Sequence, residues 1–259
     1  MNKDTLRQWI NVIAYVVTVI VNGLATSLPL NGQTTGEISD RFPVYFTPAN
    51  YVFAIWGVIY LGLLGFTIYQ ALPSQRGNPR LRRIGYLPAL SGILNTVWIF
   101  LWHYNIFELT VAVMLGILLT LIAIYLRLDI GRTAVSSAER WLVNSPFSVY
   151  LGWITVATIA NVTTLLYYLN WDGFGISPQV WAVAILLVGA AVASTVILSR
   201  RDAAYAAVIV WAYAGIIVKQ ADTPVVAGVA AFGAAIVALA LILTLLRRIL
   251  RPRSAVNPA

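Results

Sequence analysis

Residues 107–127 read FELTVAVMLGILLTLIAIYLR, and this stretch decides the fold class. Eighteen residues without a charge lie between Glu108 and Arg127. A bilayer's hydrocarbon core is crossed by roughly 20 apolar residues in helical form. No water is available there to satisfy backbone N–H and C=O groups, so the segment must bond them internally as an α-helix. Strands of a barrel would be about half as long and would alternate in polarity.

Working outward, seven more stretches of the same kind appear. Together the eight are expected at residues 9–30, 48–71, 84–104, 107–127, 146–169, 179–198, 203–219 and 224–247. Helix punctuation supports several of these limits. Pro29 with Asn31-Gly32 ends the first span, and Thr47-Pro48 opens the second as a cap followed by an N1 proline. Pro73 ends the second, Ser145-Pro146 opens the fifth and Ser177-Pro178 opens the sixth. The first span is too long for the apolar segment of a signal peptide and lacks a small-x-small cleavage site.

Composition agrees with an all-α integral membrane protein. The chain has 259 residues, 60% hydrophobic and 10% charged, with mean hydropathy +0.82. A soluble domain carries about 25% charged residues. The net charge of +8 comes from bases concentrated in alternate loops. One set of segments holds Lys3, Arg7, Arg76, Arg80, Arg82, Arg83, Arg127, Arg132, Arg140, Arg200, Arg201, Arg247, Arg248, Arg251 and Arg253. The other holds only Arg41 and Lys219. Under the positive-inside rule, this places both termini in the cytoplasm of what we expect to be a bacterial plasma membrane. Omitting any one span would scramble the alternation. The bases thus read as topology signals that also touch anionic lipid headgroups, and no nucleic-acid partner is expected.

No Asp, Glu, Lys or Arg falls in the middle third of any span, where ion-coupled transporters and proton pumps place their ionisable groups. His103, at the turn between the third and fourth spans, reads as a capping or interfacial group. With no cysteine, metal-spaced cluster, phosphate-binding glycine loop or nucleophile–base pair, no catalytic or metal-ligating set is legible.

The distinctive residues are aromatic and amide. Phe53, Trp56 and Tyr60 share one face of the second span. Asn95, Trp98 and Trp102 share one face of the third, and Tyr150, Trp153, Ala157 and Asn161 one face of the fifth. Trp9, Trp141, Trp171 and Trp181 fit the aromatic belts of the membrane interfaces. Asn95 and Asn161 need partners and are expected to face the bundle interior. Two readings of the three faces stand side by side. They are interhelical glue, or they are walls of a pocket for a planar hydrophobic small molecule.

The segment Phe46-Thr47-Pro48-Ala49-Asn50-Tyr51-Val52-Phe53, followed by Trp56 and Tyr60, resembles the second-helix signature of the translocator protein, or tryptophan-rich sensory protein (TspO/MBR), family. That signature reads approximately T-P-P-N-W-V-F, then W, then Y. Leu94-Asn95-Thr96-Val97-Trp98 is similar to the family's L-N-W-x-W, and residues 150–161 to its Y-L-x-W-x-x-x-A-T-x-L-N. Tyr51 and Thr96 stand where the family usually has Trp. The second-helix motif also lacks the usual Gly-Pro before Trp56. No base follows Tyr167-Tyr168, so the sterol-associated pattern is incomplete, and the first loop has few aromatics to support porphyrin breakdown.

The resemblance covers roughly residues 10–170 and implies a five-helix bundle that binds tetrapyrroles such as haem or porphyrins, the ligand candidates here. Trp56, Asn95, Trp98, Trp153, Ala157 and Asn161 would lie in or beside its pocket, with Asn50, Tyr51, Phe53, Tyr60, Trp102 and Tyr150 as further lining candidates. The expected division is 1–170 for the family-like bundle and 171–259 for three additional helices and a basic tail. Small-residue rows in those helices (Gly189 with Ala193, Ala227-Ala231-Ala235, Ala230-Ala234-Ala238) would pack against the bundle or form a homodimer contact. The expected function is a membrane binding or sensory protein. A facilitative transporter or exporter of small lipophilic metabolites is the alternative.

Overall fold

A computed structural model describes residues 2–28 and 30–250, with side chains described through residue 246. The stop assigned to Pro29 and the bases Arg251 and Arg253 lie outside the described residues, as do the side chains of Arg247 and Arg248. Eight apolar helices account for most of the rest. They are α1 (Lys3–Ser27), α2 (Ile55–Ala71), α3 (Leu87–His103), α4 (Phe107–Arg127), α5 (Ser145–Tyr168), α6 (Pro178–Arg200), α7 (Ala203–Lys219) and α8 (Pro224–Leu250). Six, counting the lead-in turns of α2 and α5, are long and apolar enough to cross a membrane, and α3 and α7 are shorter apolar helices of 17 residues each. A 17-residue helix is about 25 Å long, close to the hydrocarbon thickness. The chain is an all-α, multi-pass integral membrane protein.

Two helix starts differ from the sequence expectation, each for a local reason. Thr47 does not cap α2. Helical structure begins at Asn50 with a 3₁₀ turn (Asn50–Ala54), because the Ala49 N–H donates to the Gly215 carbonyl of α7 at 3.1 Å and Ala49 stays extended. Nor does Ser145 cap α5. The helical path starts at Ser137, capped by Ser136, and passes through a π-helical turn (Arg140–Asn144). The Ser145 hydroxyl instead donates to the Arg140 carbonyl at 2.9 Å. Such a wide turn accommodates Pro146, which has no N–H to give. The Ser177-Pro178 start of α6 is as expected, with Ser177 accepting from the Val180 N–H.

The first five helices close a ring. α1 packs on α2 and α3, α3 on α4, α4 on α5, and α5 returns to α2. α1 is apolar on its outside and polar on its inside. Ile13, Val16, Val17 and Ile20 are exposed, whereas Gln8, Asn11, Thr18 and Asn22 are buried. That inversion suits lipid, where the apolar face needs no shelter and the polar face does. α7 docks on α5 and on the Asn50–Ala54 turn, and α8 packs along both α6 and α7.

The small-residue rows divide between these surfaces. Gly189, Ala193 and Ala230 are buried, but Ala231 and Ala235 are exposed, so the 227–231–235 row faces outward. A Cβ at Gly189 would stand 2.7 Å from the Tyr213 hydroxyl, and one at Gly233 2.6 Å from the Tyr213 ring. The two glycines thus form the slot that holds Tyr213, whose hydroxyl donates to the Leu186 carbonyl at 2.6 Å.

Charges gather at the two ends of the bundle. At the basic end Asp4 pairs with Arg82 at 2.5 Å, Glu139 with Arg80 at 3.1 Å, and Asp129 with Arg200 at 2.8 Å. At the opposite end Asp40 pairs with Lys219 at 2.8 Å.

Candidate ligand pocket

The ring encloses a small cavity of about 50 Å³ near the end that carries Asp40. Phe53 from the α2 lead-in, Trp98 and Trp102 from α3, and Trp153, Ala157 and Asn161 from α5 all line it. Half of the twelve residues expected at a pocket therefore meet at one place. Helical spacing is the cause: each set occupies one face, and the ring turns the three faces toward one another.

The roof is the first loop. A short helix (Thr35–Asp40) starts with a reciprocal cap in which the Thr34 hydroxyl accepts from the Glu37 N–H and the Glu37 carboxylate accepts from the Thr34 N–H. Those bonds from Thr34 hold the Glu37 carboxyl below its ordinary pKa. Thr35 and Ser39 from this helix, with Thr47 and Pro48, cover the cavity. The Trp102 indole N–H donates to the Thr35 carbonyl at 3.3 Å, fastening roof to wall. Burial pushes the Asp40 carboxyl up, but hydrogen bonds from Lys219 and Asn50, with the Lys219 charge, outweigh it and leave the group below its ordinary value.

Within the walls the rings pack on each other. Trp98 stacks on Trp102 with centroids 5.1 Å apart and planes 17° from parallel. Trp153 meets Phe53 and Trp56 edge-on at 5.7 and 6.2 Å. Asn161 is fully engaged, accepting from the Trp98 indole at 3.1 Å and donating to the Thr110 hydroxyl at 2.9 Å. It joins α3, α4 and α5.

Two lining groups are different. The Trp153 indole N–H and the Thr47 hydroxyl have no hydrogen-bond partner, although each residue is only 2% exposed. A buried donor left unpaired costs about 1–3 kcal/mol, so such groups are uncommon unless something else occupies the site.

The other six expected residues lie elsewhere. Trp56, Tyr60 and Tyr150 form a neighbouring aromatic cluster outside the cavity lining, with Trp56 stacked on Tyr60 at 5.5 Å. Asn95 accepts from Asn22 at 2.8 Å and ties α3 to α1. Asn50 donates to Asp40 at 2.5 Å in the first loop, and Tyr51 is 46% exposed with its ring edge-on to Trp211. Asn50 and Tyr51 lie with Phe53 in the 3₁₀ turn that precedes the α-helical part of α2, and of that turn Phe53 alone lines the cavity.

The sequence reading missed Thr47, which it took for a helix cap, and Trp211. The Trp211 indole of α7 donates to the Val52 carbonyl at 3.2 Å, pinning the α2 lead-in from outside the ring. No local pattern marks that contact, which joins residues 159 apart. His103 is fully buried at the end of α3, with Nδ1 2.8 Å from the Ile99 carbonyl.

Among known proteins, neither curated sequences nor solved structures match this chain. A family model described as TSPO-like protein matches residues 8–243, from the second turn of α1 into α8. The match passes through α6 and α7, which the motif resemblance had left outside. On that match the chain belongs to the TSPO-like protein family.

Proposed function

We propose that this chain is a membrane sensory protein that binds a planar, mostly apolar ligand bearing hydrogen-bond acceptors, a haem or porphyrin being the leading candidate. The observation that carries the reading is the pair of unpaired, buried donors, Trp153 and Thr47, in a cavity walled by Trp98, Trp102 and Phe53. Aromatic walls give stacking area, and the indole N–H and hydroxyl give orientation through a ligand carbonyl or carboxylate. Family membership supports a binding or sensory role in the membrane. With about 50 Å³ between the walls, this is the closed form, since small-molecule pockets occupy about 300–1,000 Å³. Binding therefore requires the Thr35–Asp40 roof to lift and the Trp98–Trp102 stack to move. The excess of bases at one end supports a reading in which that end, and with it the N-terminus, faces the cytoplasm.

The test is a titration of the purified full chain with protoporphyrin IX and with haem. Saturable quenching of Trp fluorescence with a shifted Soret band is expected at micromolar ligand. Trp153→Phe keeps a ring in the wall and removes the donor, and it should weaken binding roughly tenfold. Absence of saturable binding by either compound, in protein whose thermal unfolding is cooperative, would overturn the proposal.

A further inference from the structure

A second and larger cavity, about 390 Å³, lies at the seam between the ring and helices α6–α8. It is walled by the first loop, the last turns of α5, the α5–α6 loop and the start of α6. Its size falls within the range of small-molecule pockets. Its lining differs from that of the central cavity. Tyr45, Phe46, Tyr167, Trp171 and Trp181 supply five aromatic side chains, Asp172 supplies a carboxylate, and no Lys or Arg lines it.

The aromatic wall is built, not draped. The Trp181 indole N–H donates to the Gly173 carbonyl at 2.9 Å, and the Trp171 and Trp181 rings lie 5.3 Å apart. Gly173 adopts φ +64° and lies so close to Trp181 that a Cβ would come within 3.2 Å of the indole nitrogen. Phe174 follows at φ 55°, held by its N–H donating to Asp172 Oδ1 at 3.0 Å. That leaves Asp172 Oδ2, to which no group donates among the described residues. Arg41, the base nearest the first-loop wall, is engaged elsewhere: it bonds Asn105 and lies over the Phe42 and Phe107 rings. The whole end is acidic. Glu37, Asp40, Glu108, Asp172 and Asp222 face only Arg41 and Lys219, and Lys219 is paired with Asp40.

Preformed π faces with an uncompensated carboxylate at their edge form a receptor for a weakly hydrated positive charge. We propose that the seam cavity is a second ligand site, taking an organic cation whose quaternary or delocalised charge rests against the Trp171 and Trp181 rings with Asp172 as counter-charge. An anionic porphyrin is disfavoured there by Asp172, so the two cavities select by charge. The cation has two possible sources, a soluble lipophilic cation or the choline headgroup of a membrane lipid, and they share this chemistry.

The experiment titrates the full chain, in an uncharged maltoside detergent, with tetraphenylphosphonium and with the neutral analogue triphenylphosphine oxide. Saturable binding of the cation with much weaker binding of the oxide is expected. Asp172→Asn retains the acceptor for the Phe174 N–H and should weaken the cation about tenfold. Trp171→Leu should weaken it several-fold, and Asp222→Asn, at the same end but outside the cavity, should leave it unchanged. Competition by dihexanoylphosphatidylcholine but not by the matching phosphatidylglycerol assigns the site to lipid headgroups. Absence of competition assigns it to soluble cations, and either result keeps the proposed chemistry. Equal binding of cation and oxide, or equal losses in Asp172→Asn and Asp222→Asn, would overturn it.

Discussion

The ring of α1–α5 and the helices α6–α8 are held together by different means. Inside the ring, amides and indoles cross between helices: Gln8 to the Gln70 carbonyl, Asn11 to the Gly85 carbonyl, Asn22 to Asn95, and Trp98 to Asn161 to Thr110. Between α6, α7 and α8 the contact is made largely by small side chains. Gly189, Ala190 and Ala193 are buried on α6 and Ala230 and Gly233 on α8, with Tyr213 as the one large wedge between them. Lipid tails are as apolar as these side chains, so helices in a membrane associate through packing or through hydrogen bonds rather than through the hydrophobic effect. Small residues maximise packing and leave no room. A hydrogen-bonded ring of bulky aromatics cannot close so tightly, and the central cavity with its unpaired donors is the result. Helices α6–α8 act from outside, through Gly215, Trp211 and Lys219 of α7, on the loop and lead-in that roof that cavity.

The largest break in this division should come where the two regions touch. A Cβ at Gly215 would fall 2.2 Å from Val52 Cγ2 and 3.0 Å from Pro48 Cβ. Gly215→Leu should therefore force α7 off the roof and cost about 3 kcal/mol, seen as a lowered thermal midpoint in detergent. An unchanged midpoint would show that α7 is not a buttress. Next, within the ring, Asn161→Ala strands the buried Trp98 indole and should cost about 2 kcal/mol in the same assay. Between α6 and α8, Tyr213→Phe removes one hydrogen bond and keeps the wedge in its slot, so about 1 kcal/mol is expected. If Tyr213→Phe cost more than Asn161→Ala, the contrast between the hydrogen-bonded ring and the closely packed α6–α8 would fail.

The smallest effect belongs to the Asp40–Lys219 latch. Asp40 is depressed in the folded state, so its contribution is complete above the ordinary carboxylate value of about 4 and is lost as pH falls through the lower folded value. The pair is partly exposed, and about 0–1 kcal/mol is at stake. Stability measured from pH 6 down to 3 should fall slightly less in Asp40→Asn than in the parent. Identical slopes would remove the latch from the buttress.

Much of the architecture was legible because it depends on local quantities. Whether roughly 20 successive residues prefer hydrocarbon is a sum over those residues alone. The eight spans accordingly overlap the eight helices with ends that differ by at most about seven residues where α2 and α1 begin, and α7 spans 203–219 in both. The inward faces were legible too, since Asn161 in lipid would lack partners wherever it pointed outward. The exceptions have one cause. Thr47 looks like a cap, and Asn50 and Tyr51 look like part of the α2 face. Each was decided by a neighbour far along the chain or by the path of a loop.

By itself, then, the sequence determined the membrane class, the number and approximate positions of the helices, the segregation of charge between alternate loops and the residue types that face inward. Tertiary structure alone decided which inward residues meet, which donors remain unpaired, and that a second cavity opens where the two regions join. Transfer of a segment into lipid is set by its own composition. Hydrogen-bond satisfaction and close approach are properties of two surfaces at once, and no window of one chain segment contains both.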